Sequence, residues 1–147
     1  MCIISNTSLK PKIAEEDIVC YKVLVISSVD DTLFTPFQNM NVELNKEYFE
    51  PDFIESLNKV AMEHLDIVKV NPYKPYCYNE YMFHTFKNKD DAMYFKNCIE
   101  YRNSTVIKAI IPKGSKYIEG IFSYSSYYTY IEVESFGSEK IIYKPLD

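Results

Sequence analysis

The stretch EYMFHTFKNKDDAMYFKN, residues 80–97, decides the fold because it joins a strand to a helix within a few residues. Its first part, YMFHTF, alternates with a period of two. Met82 and His84 therefore share one face of a strand, and Phe83 and Thr85 share the other. Apolar residues occur on both faces, so the pattern predicts an inner strand of a sheet.

The second part of this stretch predicts a helix over residues 88–101. Asn88 is a suitable N-cap, and the acidic residues that follow it suit the positive end of a helix. Phe95 and Ile99 lie on one side of the helix. A helix that follows a strand so closely must fold its apolar stripe back onto the sheet. We therefore expect Phe95 and Ile99 to be buried with Phe83.

The rest of the chain adds one more helix and many strands. IVCYKVLVISS (Ile18–Ser28) reads as a central strand, KIAEEDI before it as a short helical turn, and a helix starts near Asp52. From Ser104 onward, STVIKAIIPKG, SKYIEGIFS, YYTYIEVESF and SEKIIYKPL read as successive strands. The order predicts one α+β domain over residues 1–147, a mostly antiparallel sheet with two helices packed on it.

The charge and the glycine content of the chain exclude some classes of ligand. The net charge is −5, and Arg102 is the one arginine among 16 basic residues, which argues against nucleic acid as a partner. Three glycines leave no room for a glycine-rich phosphate loop. An acidic surface is compatible with binding to a basic protein partner. Alternatively, the negative charge only keeps the protein soluble.

The four cysteines are Cys2, Cys20, Cys77 and Cys98, and their spacing suits neither a disulfide framework nor a metal site. The chain also has no signal peptide and no apolar run that could span a membrane. These observations predict a cytoplasmic protein with free thiols, no metal and no membrane contact. Cys2, exposed by removal of the first methionine, leaves open an N-terminal nucleophile.

Two groups of side chains are candidate ligand-binding or catalytic residues. In VNPYKPYCYNEY (70–81), the prolines predict an ordered surface loop, and Tyr73, Tyr76 and Tyr78 either bind a ligand or cover a core edge. In YTYIEVES, Glu132 and Glu134 share one strand face, where like charges could raise one pKa and create a general base. The same pair could equally be the solvated side of a strand.

His84 and Thr85 are candidates because a strand end that precedes a helix lines a nucleotide pocket in some enzymes. The alternative is a plain strand-to-helix joint. We expect His84 to be partly exposed and within reach of the tyrosine-rich loop or of Glu132 or Glu134, since a neutral imidazole can both donate and accept.

Several segments together resemble a family of short proteins from gut Bacteroidota and their phages. The resemblance is carried by MCIIS, KIAEEDIVCYKVL, FHTFKNKDDA, IKAIIPKGSKYIEG and SEKII, and it covers most of the chain. The family implies no activity. Its phage setting implies a small intracellular accessory protein that acts on a host target, such as a host-defence protein.

A second resemblance concerns architecture. The chain is similar to ADP-ribosyltransferases, which hold a nicotinamide dinucleotide in a split sheet with a late-strand Glu. EVE, with Glu132 and Glu134, corresponds to the late strand that carries the family's Glu. IIPKGSKYI corresponds to the strand before it, and FHTF corresponds to the middle strand. The resemblance implies one of these carboxylates as electrostatic stabiliser and His84 as orienting donor. The early strand offers Tyr21 and Lys22 in place of the family's His or Arg, which favours a pocket that binds without catalysis.

Together these features predict a small acidic binding protein, a monomer or homodimer, that binds a host protein or a nucleotide ligand. We expect no cofactor and no enzymatic activity. The alternative is an ADP-ribosyltransferase-like enzyme that uses a nicotinamide dinucleotide, and a structural or virion component stays open. The predicted ligand-binding residues are Tyr21, Tyr73, Tyr76, Tyr78 and Thr85, and the predicted catalytic residues are His84, Glu132 and Glu134.

Overall fold

The computed structural model describes residues 3–4, 10–36, 40–55, 57, 77–78, 81–99, 103–125 and 130–147, with the backbone alone at 3–4, 77–78, 123 and 125. This part of the chain is an α+β fold with a mainly antiparallel sheet and two helices, which confirms the predicted fold class.

The described strands are β1 (Ile3–Ile4), β2 (Lys12–Ile13), β3 (Ile18–Ile26), β4 (Leu33–Phe34), β5 (Asn41–Val42), β6 (Glu47–Phe49), β7 (Cys77–Tyr78), β8 (Phe83–Phe86), β9 (Ser104–Ile111), β10 (Lys116–Ser125), β11 (Tyr130–Ser138) and β12 (Lys140–Lys144). Helix α1 includes residues 53–55 and 57, and helix α2 is Lys89–Cys98.

The strands form one sheet in the order β6-β12-β9-β3-β8-β11-β10-β1-β7, with β2, β4 and β5 attached at the side. Each described pair of neighbours is antiparallel. The longest ladders join β3 to β9 and β10 to β11. β3 lies near the middle of the sheet and β8 pairs with both β3 and β11, so both predicted inner strands are found.

One face of the sheet, called the inner face below, packs against other strands and loops of the chain. Side chains that alternate along β3, β8, β9, β11 and β12 meet here in one apolar core together with the β5 strand. Its largest members are Leu24, Phe83, Ile111, Phe136 and Tyr143. Leu33, Met40 and Tyr48 pack against this core from the 33–48 segment. Among the described residues, strands and loops cover this face and no helix packs on it.

The opposite face, called the helix face below, carries both helices. Phe95 of α2 packs against Phe86, Phe122 and Tyr124, with ring centroids 5.2–5.3 Å apart. The rings of Phe86 and Phe122 also meet edge to face at 5.4 Å. Such tilted aromatic pairs contribute about 0.5–1.5 kcal/mol each beyond the area they bury. This cluster fixes α2 on the sheet.

The partner predicted for Phe95 was wrong. Phe83 and Thr85 do face a core together, but it is the core of the inner face. Because α2 lies on the other side of β8, Phe95 and Ile99 pack with Phe86 instead. The strand-to-helix turn reverses onto the face that holds the even-numbered residues of β8.

Helix α1 covers a third apolar cluster. Phe53 and Leu57 pack with Met82 and Ile118, and all four side chains are buried. Met82 and Ile118 belong to the helix face by the alternation along their strands, so α1 and α2 lie on the same side of the sheet.

Two boundaries differ from the prediction. KIAEEDI forms the short strand β2 and a bend at residues 15–16 instead of a helical turn, because Lys12 and Ile13 pair with β10. Helix α2 ends at Cys98, where Ile99 is already extended and donates its N–H to the carbonyl of Phe95. Asn88 holds the N-cap position, but its side chain donates to Asp91 instead of capping the backbone.

Candidate functional site

A shallow groove lies where β10, β11 and the end of β8 meet, on the inner-face side of the hairpin. It has a volume of about 300 Å³ and is lined by Lys87, Glu119, Gly120, Ile121, Glu134, Ser135 and Phe136. We call it the hairpin groove. Glu134 is the one predicted catalytic residue in its lining.

The β10–β11 register arranges four side chains as the corners of the hairpin groove. Glu119 pairs with Phe136, and Ile121 pairs with Glu134. The two carboxylates therefore occupy one diagonal, about 7–8 Å apart between backbones, and the two apolar groups occupy the other. The groove thus offers an apolar floor with an acid at each end.

Each carboxylate of the hairpin groove is held by a lysine. Lys87 Nζ lies 3.8 Å from Glu134 Oε2, and Lys12 Nζ lies 3.3 Å from Glu119 Oε2. The four side chains are 45–59% exposed, so the two ion pairs are surface pairs. Pairs of this kind contribute about 0–1 kcal/mol, and an arriving charged group can replace one partner at little cost.

Glu132 shares the strand face of Glu134 but does not line the hairpin groove. Its carboxylate accepts a hydrogen bond of 2.8 Å from the Tyr130 hydroxyl, and it is exposed. Ser123 and Glu132 are register partners, whereas Glu134 pairs with Ile121 two residues further along β10. The two predicted carboxylates therefore have different surroundings.

His84 lies apart from both carboxylates. We expected it to be partly exposed, and this was wrong: His84 is only 6% exposed. Its strand is buried on both faces between β3 and β11, and it alternates with Thr85 so that it faces the helix side. Glu132 and Glu134 share the opposite, inner-face side with Phe136. The three predicted catalytic residues therefore do not converge on one site.

A polar cluster lies inside the inner-face core. Lys22 is buried, and its Nζ donates a hydrogen bond of 2.8 Å to the backbone carbonyl of His84. Burial lowers the pKa of Lys22 from 10.5 to about 8, and the charge of a Cys20 thiolate would act in the opposite direction. Neither Lys22 nor Cys20 lines the hairpin groove.

The Cys20 thiol is buried and stays protonated at neutral pH. Burial raises its pKa to about 12, while the neighbouring Thr85 side chain and the charge of Lys22 act in the lowering direction. The thiol donates to the carbonyl of Ala109 at 3.4 Å. Burial also raises the pKa of Tyr143 above its usual range. Thr85 is thus a core residue of the inner face, next to Cys20.

The predicted tyrosines are scattered. Tyr21 is half-buried on the helix face, where it packs beside the α2 cluster. Tyr78 lies in the short strand β7, of which the backbone alone is described, and β7 pairs with β1. Tyr73, Tyr76 and Cys2 fall outside the described residues. Their predicted roles stay predictions.

The sequence analysis did not single out Lys87, Glu119, Ile121 or Phe136, which complete the hairpin groove. The alternating run from Lys116 to Ser138 does contain the signal of a hairpin. The register that brings Glu119 opposite Phe136 could not be predicted, because residues 126–129 between the two strands include no glycine or asparagine to mark a hairpin turn type. Only the paired strands reveal the two diagonals.

A second concavity has a volume of about 790 Å³. It is lined by Lys12, Ile13, Glu15, Glu16, Asp17, Ile18 and Tyr117. One of its carboxylates is already engaged, because Asp17 Oδ1 accepts the N–H of Lys113 at 2.8 Å. The acidic residues 15–17 make this concavity an alternative binding site for a positively charged partner.

Among the described residues, no group of His, Cys, Asp and Glu side chains is arranged to hold a metal ion, and no helix is long and apolar enough to cross a membrane. Cys20 and Cys98 are free thiols. Comparison with protein-family models, with curated proteins and with solved structures gives no match for this chain.

Proposed function

We propose that this protein is a binding protein whose hairpin groove takes a lysine or arginine side chain from a basic partner protein. The observation that carries the proposal is the diagonal of Glu119 and Glu134 across the apolar pair Ile121 and Phe136. Long basic side chains combine an apolar stem with a charged end. The stem would lie on the apolar pair and the charge between the carboxylates.

The charges around the groove favour an exchange of partners. Glu119 and Glu134 are already paired with Lys12 and Lys87 in exposed ion pairs. An incoming cation replaces one lysine, and the released lysine returns to water, so the exchange costs little. The net charge of −5 attracts a basic partner over a longer distance and speeds the encounter.

A nucleotide ligand gains less support from this geometry. Its phosphates would face two carboxylates at the walls of the groove, and among the described lining residues Lys87 is the one lysine. Nucleotide-dependent transfer gains less support as well, because His84 lies on the opposite side of the sheet from Glu134. A protein partner is therefore the better proposal, and the protein acts by binding without catalysis.

The setting of this activity rests on the resemblance to phage-associated proteins. In that setting the partner would be a basic host protein, and occupation of the hairpin groove would interfere with its action. An inhibitor of host defence in the cytoplasm fits this proposal.

The test is a binding titration with a fluorescent dodecapeptide in which lysine alternates with leucine. The combined variant Glu119→Gln and Glu134→Gln should weaken binding about tenfold, because both partners of the cation are lost. The matched control is the double variant Glu132→Gln and Glu55→Gln, which removes the same number of negative charges at exposed positions outside the groove. It should change the affinity by less than about twofold.

Three results would overturn the proposal. Equal losses in the control and in the combined variant would mean that net charge alone attracts the peptide. An unchanged affinity in the combined variant would place binding elsewhere. Displacement of the peptide by ATP, in a manner that depends on Glu134, would instead identify a nucleotide site.

A further inference from the structure

The helix face has a second half that faces solvent beside the half that α2 covers. The β3–β9–β12–β6 register aligns Val19, Ile110, Ile142 and Glu47 in one row across four strands. Val19 is 48% exposed, and Ile110 and Ile142 are half-buried. With strands about 4.8 Å apart, the row spans about 14 Å.

Lysines flank this aliphatic row on both sides. Lys108 and Lys144 lie directly opposite each other in the next row, beside Tyr21. On the other side, Lys140 pairs with Phe49, and its Nζ lies 5.5 Å from the centre of that ring. We call this surface the basic sheet face.

The Lys108–Lys144 pair is unusual because like charges directly opposite in a ladder destabilise a sheet. Among the described residues, neither lysine forms an ion pair. Glu47 contributes a carboxylate at the far end of the aliphatic row, at the β6 edge. The repulsion between Lys108 and Lys144 would be relieved by an anionic group of a binding partner, so this surface is suited to bind one.

We propose that the basic sheet face binds an acidic amphipathic helix of a partner protein. The aliphatic row would receive the apolar stripe of the helix, and Lys108, Lys144 and Lys140 would meet carboxylates along its sides. The same face already accepts α2 over Val23 and Val106, one row beyond the lysine pair. Helix on sheet is thus the packing that this face uses.

This site is separate from the hairpin groove, which lies on the other side of the sheet and carries the opposite charge. A helix fits better than a nucleic acid strand, because the centre of the surface is aliphatic and single strands are held by stacking on aromatic rings. Phe49 is the exposed ring here, at the edge and already covered by Lys140.

The test uses an 18-residue peptide with leucines at helical spacing and glutamates along both sides of the stripe. A peptide with lysines in place of the glutamates is the control probe. We expect the acidic peptide to bind the full chain, more tightly at low salt, and the basic peptide not to bind this face. Lys108→Glu should weaken binding of the acidic peptide about tenfold.

The fold serves as an internal control in this experiment. Lys108→Glu turns a like-charged cross-strand pair into an opposite-charged one, so the melting temperature should stay equal or rise while affinity falls. Lys89→Glu makes the same charge change at the start of α2 and should leave the affinity within about twofold.

The proposal is overturned by any of four results. Lys108→Glu could leave the affinity for the acidic peptide unchanged, or it could weaken binding of both peptides alike. An oligo-dT strand could displace the acidic peptide, which would identify a phosphate site. Gel filtration could reveal a dimer that Lys108→Glu dissociates, and the occupant would then be a second copy of this chain.

Discussion

The two halves of the helix face have the same strand geometry, but α2 covers one half and the other half is open to solvent. Over β8, β10 and the second half of β3, aromatic and aliphatic side chains pack against α2 and are buried. Over β12 and the first half of β3, an aliphatic row stays open between lysines. The backbone does not distinguish the two halves, because the ladder from β3 to β9 runs without interruption through both of them.

The comparison shows that the alternation of side chains along a strand predicts which residues share a face of the sheet, but not whether another element covers that face. Val23 and Val19 both lie on the helix face of β3, four residues apart. Val23 is buried by α2, whereas Val19 is half exposed. Coverage is decided by the turn after β8, which returns α2 over one half.

The largest effect should come from the covered half. Phe95→Ala removes the ring that joins Phe86, Phe122 and Tyr124, and it should lower the free energy of unfolding by about 3–5 kcal/mol. Tyr94→Ala is the control, because Tyr94 is exposed on the outer side of α2 and should cost less than about 1 kcal/mol. Urea unfolding followed by circular dichroism measures both. Equal costs would mean that α2 is not seated on this cluster.

A smaller effect should separate two valines on the same face. Val106→Thr buries a hydroxyl under α2 and should cost about 1–3 kcal/mol. Val19→Thr makes the same isosteric change on the open half and should cost less than about 0.5 kcal/mol. Chemical denaturation of the two variants compares the halves directly. A loss at Val19 as large as at Val106 would show that the open half is in fact covered.

The next effect concerns pH and the buried Lys22. Its pKa is about 8 in the folded protein against 10.5 unfolded, so the unfolded chain holds more protons between these values. Stability should therefore rise as pH increases through 8, by up to about 1 kcal/mol between pH 8 and 9. Above pH 9 the raised pKa of Cys20 acts with the opposite sign, because the unfolded thiol ionises first.

The matched variant for this prediction is Lys22→Met, which keeps the length of the side chain and removes the titrating amine. Its free energy of unfolding should lose the rise between pH 8 and 9. The absolute stability at pH 7 should change less, since the relief from a buried charge is offset by the unpaired carbonyl of His84. Urea titrations at pH 7, 8 and 9 test the slope. A rise that persists in Lys22→Met would contradict the assignment to Lys22.

Much of the fold could be predicted from local patterns. The strand over Ile18–Ile26 and the strand-to-helix joint at β8 follow from continuous or alternating hydrophobicity and from the acidic start of α2. The side of the sheet to which α2 returns could not be predicted, because β8 is apolar on both faces. His84 was therefore assigned to an open face, although both faces are buried.

The candidate site could be predicted only in part. Glu134 was found because carboxylates at alternate positions of a strand share a face. Glu119 and Lys87 lie 15 and 47 residues away from it along the chain, and only strand pairing brings them together. The basic sheet face was missed for the same reason, since Lys108 and Lys144 become neighbours only through the β9–β12 ladder.

The most direct test of the central claim is to locate a bound basic peptide on the protein. The lysine–leucine dodecapeptide, carrying a photoreactive benzophenone at its centre, would be cross-linked to the full chain and the attachment site read by mass spectrometry. We predict attachment within residues 119–121 or 134–136, and loss of this product in the combined Glu119→Gln and Glu134→Gln variant. Attachment to the acidic segment at residues 15–17, with the product retained in that variant, would contradict the hairpin groove as the binding site.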